Sequence, residues 1–292
     1  MNPAALLIGN GLNRVSTDAA WINLLKHLQE YYDIECSNEY TNFPLEYERI
    51  EQAAIQKGML KENEVKTLLA KNLPVVTDFS LLKQYASLPV DAILTTNYDY
   101  NMELSLSCSY DRGKEKSSTR ETKHSLFRYT QVADRKIWHI HGEAQCPNTI
   151  CMGYEQYCSH LSKMHEVLTT PKKGFSNRPY LDHVLLHHDD PNPPWPVLYF
   201  THDLHIIGLQ LGLIEIDLWW LLSYRNRLRI LRPELNISNK IHYYYESKGC
   251  DAEQISLMDS MGVELHAVTL VRNNWKRLYS DVLKLVKSNL DK

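Results

Sequence analysis

Long apolar runs and an excess of one charge are both missing from this 292-residue chain. The longest apolar stretch, around residues 206–222, contains Glu215 and Asp217, and carboxylates are costly in the hydrocarbon of a bilayer. The formal net charge is only -3, which leaves no general electrostatic footprint for a nucleic acid. We therefore expect neither a membrane span nor direct nucleic-acid binding.

Metal-binding patterns are also missing. None of the six cysteines lies in a Cys-x-x-Cys pair, the spacing typical of structural zinc sites. Three of them, between residues 146 and 158, could form a four-ligand set with His160, but buried or surface thiols are the simpler interpretation. His183 and His187 share a helical face without the glutamate of a His-Glu-x-x-His site, which favours a solvated helix end. We expect no metal and no disulfide.

The length and the 43% hydrophobic content are sufficient for a sizeable core, and we expect one domain over residues 1–292. Apolar residues recur at helical spacing over about 40–88, which predicts a helical insertion, whereas about 170–197 is rich in proline and is expected to be irregular. The apolar residues after Met1 have no basic segment before them. They indicate a first strand rather than a secretory signal, and thus a cytoplasmic protein.

The last third of the chain alternates between strand and helix patterns. Strands are expected near residues 205–207, 240–245 and 263–268, and helices over 215–227, 252–261 and 274–290. This alternation predicts an α/β fold, a Rossmann-like, mostly parallel sheet with helices on both faces.

The first strand pattern, Ala4 to Ile8, is followed by Gly9, Asn10 and Gly11. Glycines would let the backbone approach a pyrophosphate, and a helix after the turn would present its free N–H groups to the phosphate. However, Arg14 stands where the standard dinucleotide-binding pattern has its third glycine. On these residues alone, a tight turn with a structural role is an equally good interpretation.

An apolar run from Val90 to Leu94 predicts a second buried strand, and Asn97 and Asp99 follow it. Two residues apart on a strand, they would point to the same side and could address one ligand. An amide can orient a hydroxyl without acting as a nucleophile, and a carboxylate can accept an amide N–H. The alternative is that both residues cap a turn.

Another strand pattern ends in His139, His141 and Gly142. An imidazole titrates near neutral pH and can take a proton from a hydroxyl or from water. His139 lies on the same strand face as His141 and is an alternative base. A histidine with a purely structural role is the remaining interpretation.

A later glycine turn contains Gly208, Gln210 and Gly212. Glu215 and Asp217 follow it, and their charges would favour the N-terminus of the next helix. A turn that only leads into this helix is the structural alternative.

Taken in order, the first glycine turn, the Thr-Thr-Asn-Tyr-Asp strand end, the His-Gly strand end and the later glycine turn resemble the sirtuin family, and within it the bacterial sirtuin-like NAD hydrolases. The resemblance implies that Asn97 positions a water beside the nicotinamide ribose, that Asp99 bonds the nicotinamide carboxamide and that His141 is the catalytic base. NAD is then the substrate. The NAD-binding residues that the resemblance implies are Gly9, Asn10, Gly11, Asn13, Thr96, Gly208 and Gln210.

The implied activity is that of an NAD glycohydrolase, an NADase, which releases nicotinamide and ADP-ribose and depletes NAD in bacterial anti-phage defence. Such an effector implies control by a partner protein from the same operon, by homo-oligomerisation, or by both. A non-catalytic sensor or scaffold that binds NAD or ADP-ribose is an alternative. Protein deacylation is a further alternative, which the absence from the sequence of the zinc-binding cysteine pairs of classical deacylases disfavours.

Overall fold

A computed structural model describes residues 2–15, 21–34, 42–58, 62–74, 76–114, 121, 123–171, 177–187 and 190–291. Within these ranges the strands form one seven-stranded sheet. The strands are β1 (Ala4–Ile8), β2 (Ala92–Thr95), β3 (Thr130–Val132), β4 (Arg135–His139), β5 (Asp203–Ile207), β6 (Ile241–Glu246) and β7 (Val263–Val268). Their order is β3-β4-β2-β1-β5-β6-β7, and all neighbours are parallel except β3 and β4. The predicted Rossmann-like, mostly parallel sheet is confirmed.

Helices connect the strands and cover both faces of the sheet. They are α1 (Trp21–Tyr31), α2 (Phe43–Gln56), α3 (Glu62–Lys71), α4 (Ser80–Ala86), α5 (Asn101–Leu106), α6 (Tyr154–Thr169), α7 (Tyr180–His187), α8 (Leu198–Thr201), α9 (Ile216–Leu231), α10 (Ala252–Ser260) and α11 (Trp275–Leu290). Among the described residues, none of these helices combines the length and apolar character needed to cross a bilayer.

Successive side chains of a strand point to opposite faces of the sheet, and each face of this sheet therefore has its own hydrophobic core. In β1, Ala5 and Leu7 pack into one hydrophobic cluster, whereas Leu6 and Ile8 pack into another. The first cluster receives apolar residues from α6 to α10, and the second receives them from α4 and α11. A strand that is buried on both faces must be apolar throughout, which is why β1 was recognisable in the sequence.

A third hydrophobic cluster lies outside the sheet layers. It joins α1, α2 and α3 through residues such as Leu25, Tyr47 and Leu69, and it includes Tyr98 from the loop after β2. Pro44 lies in the first turn of α2, where a missing N–H costs no helical hydrogen bond. These helices fill much of the interval expected to be a helical insertion, and they pack against the loop that carries Asn97 and Asp99.

The interval 170–197, expected to be irregular, contains α7 among its described residues. Tyr180, Leu181, Val184 and Leu185 are buried and recur at helical spacing, so a short amphipathic helix was encoded there. The proline-rich flanks obscured this signal, and the expectation for this interval was wrong.

Candidate functional site

A crevice opens at the carboxyl edge of the sheet, where the connections from β1 diverge. β1 pairs with β2 on one side and with β5 on the other, and such a switch point is where open α/β sheets bind ligands. The crevice is a cavity of about 630 Å³. Six residues that the resemblance assigns to NAD or to catalysis line it, namely Asn10, Gly11, Thr96, His141, Gly208 and Gln210, whereas Asn13, Asn97 and Asp99 are not among the residues of its wall.

The two glycine turns pack directly on each other beside this cavity. The Gly9 amide donates to the Ile207 carbonyl at 2.9 Å, and the Gly11 amide donates to the Gly208 carbonyl at 2.8 Å. A Cβ on Gly9 would lie 2.4 Å from the Gly208 carbonyl oxygen, so the turns could not approach so closely with a larger residue. Both amides are used within the protein, and Gly9 lies outside the cavity wall.

A short helical element follows the first glycine turn. In the described residues it is a short helical turn, Asn13–Val15, and α1 begins at Trp21. Ser16, Thr17 and Asp18, residue types that can cap the helix containing Trp21, lie outside the described residues. The N–H groups of Gly9 and Gly11 are thus bonded to the second glycine turn, and the prediction that the following helix presents its free N–H groups to a pyrophosphate stays a prediction.

Asn97 and Asp99 lie in the loop after β2, which ends at Thr95. The Asn13 side-chain amide donates to Asp99 Oδ2 at 2.8 Å, and the Asn101 backbone amide donates to Asp99 Oδ1 at 2.9 Å. The Oδ1 atoms of Asn13 and Asn97 are buried without a hydrogen-bond partner in the described part of the chain. Because an unpaired buried acceptor is costly, this loop favours a ligand with O–H or N–H donors.

His141 is held in place by a loop that crosses behind it. The Cys151 amide donates to the His141 carbonyl at 2.9 Å. Gly142 has a φ of +97°, and a Cβ there would lie 2.2 Å from the Thr149 carbonyl oxygen, so only glycine fits. The His-Gly pair in the sequence thus reflects a close backbone crossing that positions His141.

Asp217, in the first turn of α9, is the side-chain partner of His141. His141 Nε2 lies 3.0 Å from Asp217 Oδ2, and both side chains are buried. Burial alone would lower the pKa of His141, but the carboxylate outweighs it and raises the pKa above its ordinary value. Burial likewise opposes ionisation of Asp217, yet the adjacent histidines hold its pKa well below the usual range. An imidazole oriented by a carboxylate is suited to accepting a proton.

Sequence reasoning missed this role of Asp217 and the involvement of His160. His160 Nδ1 lies 3.1 Å from the same Asp217 oxygen that bonds His141. Asp217 is one helical turn before Leu221, which is fully buried, so helical spacing could have placed it on the inner face of α9. Glu215 also lines the cavity, and burial raises its pKa to about 7.

His139 is the last residue of β4, close to His141 in the sequence, but its role is structural. Its Nδ1 lies 2.8 Å from the Asn97 carbonyl oxygen, and its Nε2 lies 2.9 Å from Glu103 Oε1. Both ring nitrogens therefore have partners inside the protein, and the ring is not part of the cavity wall. Its contact with Asn97 fixes the backbone of the loop that carries that amide.

Two sets of three donors in the described residues have the chemistry and spacing to hold a metal ion. They are His141, His160 and Asp217, and also His242, Glu264 and His266. The contacts within the first set are equally those of a histidine pair hydrogen-bonded to one carboxylate. His183 is buried and its ring centroid lies 4.7 Å from that of His187, so the solvated helix end expected there is wrong for His183.

A part of the cavity wall that no motif predicted is aromatic. It is formed by Tyr243 and Tyr245 of β6 together with Trp275 and Tyr279 of α11. The Arg14 guanidinium carbon lies 5.9 Å from the Trp275 ring centroid. Aromatic faces can stack with a purine base, and a guanidinium can pair with a phosphate. This wall joins elements far apart in sequence, so no local pattern could reveal it.

One segment of the chain matches a known protein family. Residues 91–184 match the SIR2-like domain family. The matched segment contains β2, β4 and the loop residues Asn97, Asp99 and His141. No curated protein matches the chain. The matched segment is thus similar to SIR2-like domains, and the order of the strands agrees with a Rossmann-like fold.

Proposed function

We propose that this protein is an NAD glycohydrolase that cleaves NAD to nicotinamide and ADP-ribose. One observation carries the proposal: His141 lines the switch-point cavity while its Nε2 is held by the buried Asp217 carboxylate. The loop after β2 adds the buried amide oxygen of Asn97, which has no hydrogen-bond partner among the described residues. A positioned base and an unpaired acceptor are what the attack of water on a ribose carbon requires.

The reaction places water on C1' of the nicotinamide ribose. As the bond from C1' to the pyridinium nitrogen breaks, the bonding electrons go to that nitrogen and nicotinamide leaves uncharged. Water forms the new C–O bond, and its proton passes to His141, which must be neutral to accept it. Asn97 Oδ1 accepts a hydrogen bond from the water or from a ribose hydroxyl and holds it in line.

The remaining parts of NAD have partners of suitable chemistry. The Asp99 carboxylate and the unpaired Asn13 Oδ1 can accept from the carboxamide N–H groups of nicotinamide. Burial raises the pKa of Asp99 to about 6, so it is largely ionised at neutral pH. The aromatic wall at Trp275 and Tyr245 can stack with the adenine, and Arg14 can pair with the phosphates.

The proposal is tested by incubating the purified chain with NAD and separating the products by chromatography. The expected result is one ADP-ribose for each nicotinamide, and a loss of turnover in Asn97→Ala that leaves the circular-dichroism spectrum unchanged. Asn192→Ala, in an exposed loop, is the control and keeps full activity. NAD binding without release would identify a sensor instead, and full activity in Asn97→Ala would contradict the site.

We further propose a biological role, which rests on the resemblance to bacterial sirtuin-like NAD hydrolases. The protein acts in the cytoplasm as an anti-phage effector whose NAD cleavage is switched on by a partner protein from its operon, by homo-oligomerisation, or by both. The test measures NAD in infected bacteria that carry the operon with wild-type protein or with Asn97→Ala. A collapse of NAD with the wild type alone is expected, and a constant NAD level in both strains would contradict the role.

A further inference from the structure

Two neighbouring strands at one end of the described sheet bring three metal-binding side chains together. His242 lies on β6, and Glu264 and His266 lie on β7. Glu264 is paired with His242 in the parallel register, and His266 is two residues further along, so all three side chains point to the same face of the sheet. None of the three is a site residue predicted from the sequence, and none lines the cavity at the switch point.

The donor atoms of these three side chains converge on one point. His242 Nδ1 lies 3.1 Å from His266 Nε2 and 3.2 Å from Glu264 Oε2, and all three donor atoms lie within 4.8 Å of one another. The nitrogen and oxygen ligands of a tetrahedral zinc ion, each about 2.0–2.2 Å from the metal, lie about 3.3–3.6 Å apart. A small outward movement of the side chains would therefore admit the ion.

Hydrogen bonds alone satisfy this arrangement poorly. His242 Nδ1 carries at most one hydrogen, so it cannot form well-aligned hydrogen bonds to both His266 Nε2 and Glu264 Oε2. A cation among the three atoms would instead accept an electron pair from each of them. The contacts of this set therefore fit a shared cation better than a hydrogen-bonded cluster.

Two further rings hold the imidazoles in place. The His205 ring stacks on His242 with centroids 4.6 Å and planes 11° apart, and the Tyr244 ring stacks on His266 with centroids 4.6 Å and planes 16° apart. His205 Nδ1 lies 3.0 Å from the Tyr244 hydroxyl oxygen, so the two supporting rings also contact each other. Ligands whose orientation is fixed before binding lose little conformational freedom when the metal arrives.

The Glu264 carboxylate is held from the opposite side. Lys240 Nζ lies 3.0 Å from Glu264 Oε1, whereas Oε2 is the oxygen that faces His242. Outer partners of this kind orient the ligating carboxylates of metal sites. The Glu264 side chain is 44% exposed, which leaves a path for an ion from solvent to the buried His242.

We propose that His242, Glu264 and His266 bind a zinc ion, with a fourth position left for water. Two imidazoles and one carboxylate suit Zn²⁺ and disfavour Mg²⁺ and Ca²⁺, since those ions prefer oxygen ligands. Because the ligands come from β6 and β7, the ion links the last strand of the described sheet to its neighbour. Tyr244 lines the cavity at the switch point and stacks on His266, so the ion also stabilises this part of the cavity wall.

Binding is tested by calorimetric titration of the full chain, freed of metal with a chelator, with zinc chloride. Binding should be at least about tenfold weaker in Glu264→Gln and in His266→Gln, because even outer partners of metal ligands change the affinity by that factor. Circular dichroism checks that both variants are folded. His27→Gln removes an exposed histidine that lies beside Glu30, and it should bind zinc like the wild type. No binding by the wild type, or wild-type affinity in either ligand variant, would overturn the proposal.

A second control separates this site from the other set of donors, His141, His160 and Asp217. His160→Gln removes one donor of that set and should leave zinc binding at the proposed site unchanged. Weaker binding in His160→Gln but not in His266→Gln would assign the ion to the other set and refute the inference.

Thermal melting gives an independent readout of the same site. An ion that binds only the folded chain raises Tm by a margin that grows with the zinc concentration. We expect this rise in the wild type and in His160→Gln but not in His266→Gln, and an equal rise in all three proteins would contradict the site. Because neither readout uses NAD, failure here is distinct from failure of the proposed function.

Discussion

Two histidines at and just after the end of β4 are equally buried but differ in their position relative to the cavity at the switch point. His139 and His141 are both buried, and each lies about 3 Å from a buried carboxylate, that of Glu103 for the first and of Asp217 for the second. His139 uses both ring nitrogens inside the protein, whereas His141 lines the cavity at the switch point. A buried histidine with a carboxylate partner is therefore no mark of catalysis by itself. What distinguishes His141 from His139 is that His141 lines the cavity at the switch point.

The largest expected effect comes from removing the ring that faces the cavity. His141→Ala is expected to lower kcat for NAD cleavage by about 10²- to 10⁴-fold, because the proton acceptor is lost. The measurement is the initial rate of nicotinamide release at saturating NAD. His187→Ala removes an exposed histidine of α7 and should behave like the wild type. A fall of less than threefold in His141→Ala would remove His141 from the mechanism.

The opposite result is expected for the structural histidine. His139→Leu leaves the fully buried Glu103 without its imidazole partner, and breaking a buried charged pair costs about 3 kcal/mol or more. Urea denaturation should show a matching loss in the free energy of unfolding, while the protein that remains folded keeps substantial turnover. Unchanged stability would mean that the pair between His139 and Glu103 contributes nothing to the fold.

The features that the sequence predicted differ from those that it missed in the distance along the chain between the residues involved. The strands, the glycine turns and the His-Gly pair were predictable because each depends on residues a few positions apart. The contact between Asp217 and His160 was not, since it joins residues 57 positions apart, although the sequence singled out each residue for another role. The aromatic wall of the cavity at the switch point depends in the same way on packing between distant elements. Gly9 and Gly11 were found, but their hydrogen bonds to the second glycine turn join residues far apart in the sequence and were not predicted.

A smaller effect is expected when the partner of His141 loses its charge. Asp217→Asn should lower kcat by about 10- to 100-fold, because the imidazole is less well oriented. Burial lowers the pKa of His141, and the Asp217 carboxylate raises it by a larger amount. Loss of the carboxylate should therefore lower this pKa. The acidic limb of the profile of kcat against pH should then move to lower pH. Asp281→Asn, on α11, is the control. A shift of the limb to higher pH would contradict the assigned pair.

The smallest effect concerns the pH dependence of stability. Burial lowers the pKa of His139, but Glu103 outweighs burial and the pKa rises from 6.5 to about 9. A raised pKa in the folded state stabilises the protein below the unfolded value, and this contribution disappears as the pH rises through the folded value. The free energy of unfolding of the wild type should therefore fall between pH 6.5 and 9, and this component should be missing in His139→Leu. Parallel pH profiles for the two proteins would argue against a charged His139.

The most direct test of the central claim is NAD turnover in water enriched in ¹⁸O, with wild type and His141→Ala side by side. We predict that the wild type releases one nicotinamide per NAD and that the ADP-ribose formed carries one ¹⁸O at C1'. His141→Ala should form neither product above background. Equal release by both proteins, or a product without ¹⁸O, would contradict hydrolysis by the site around His141.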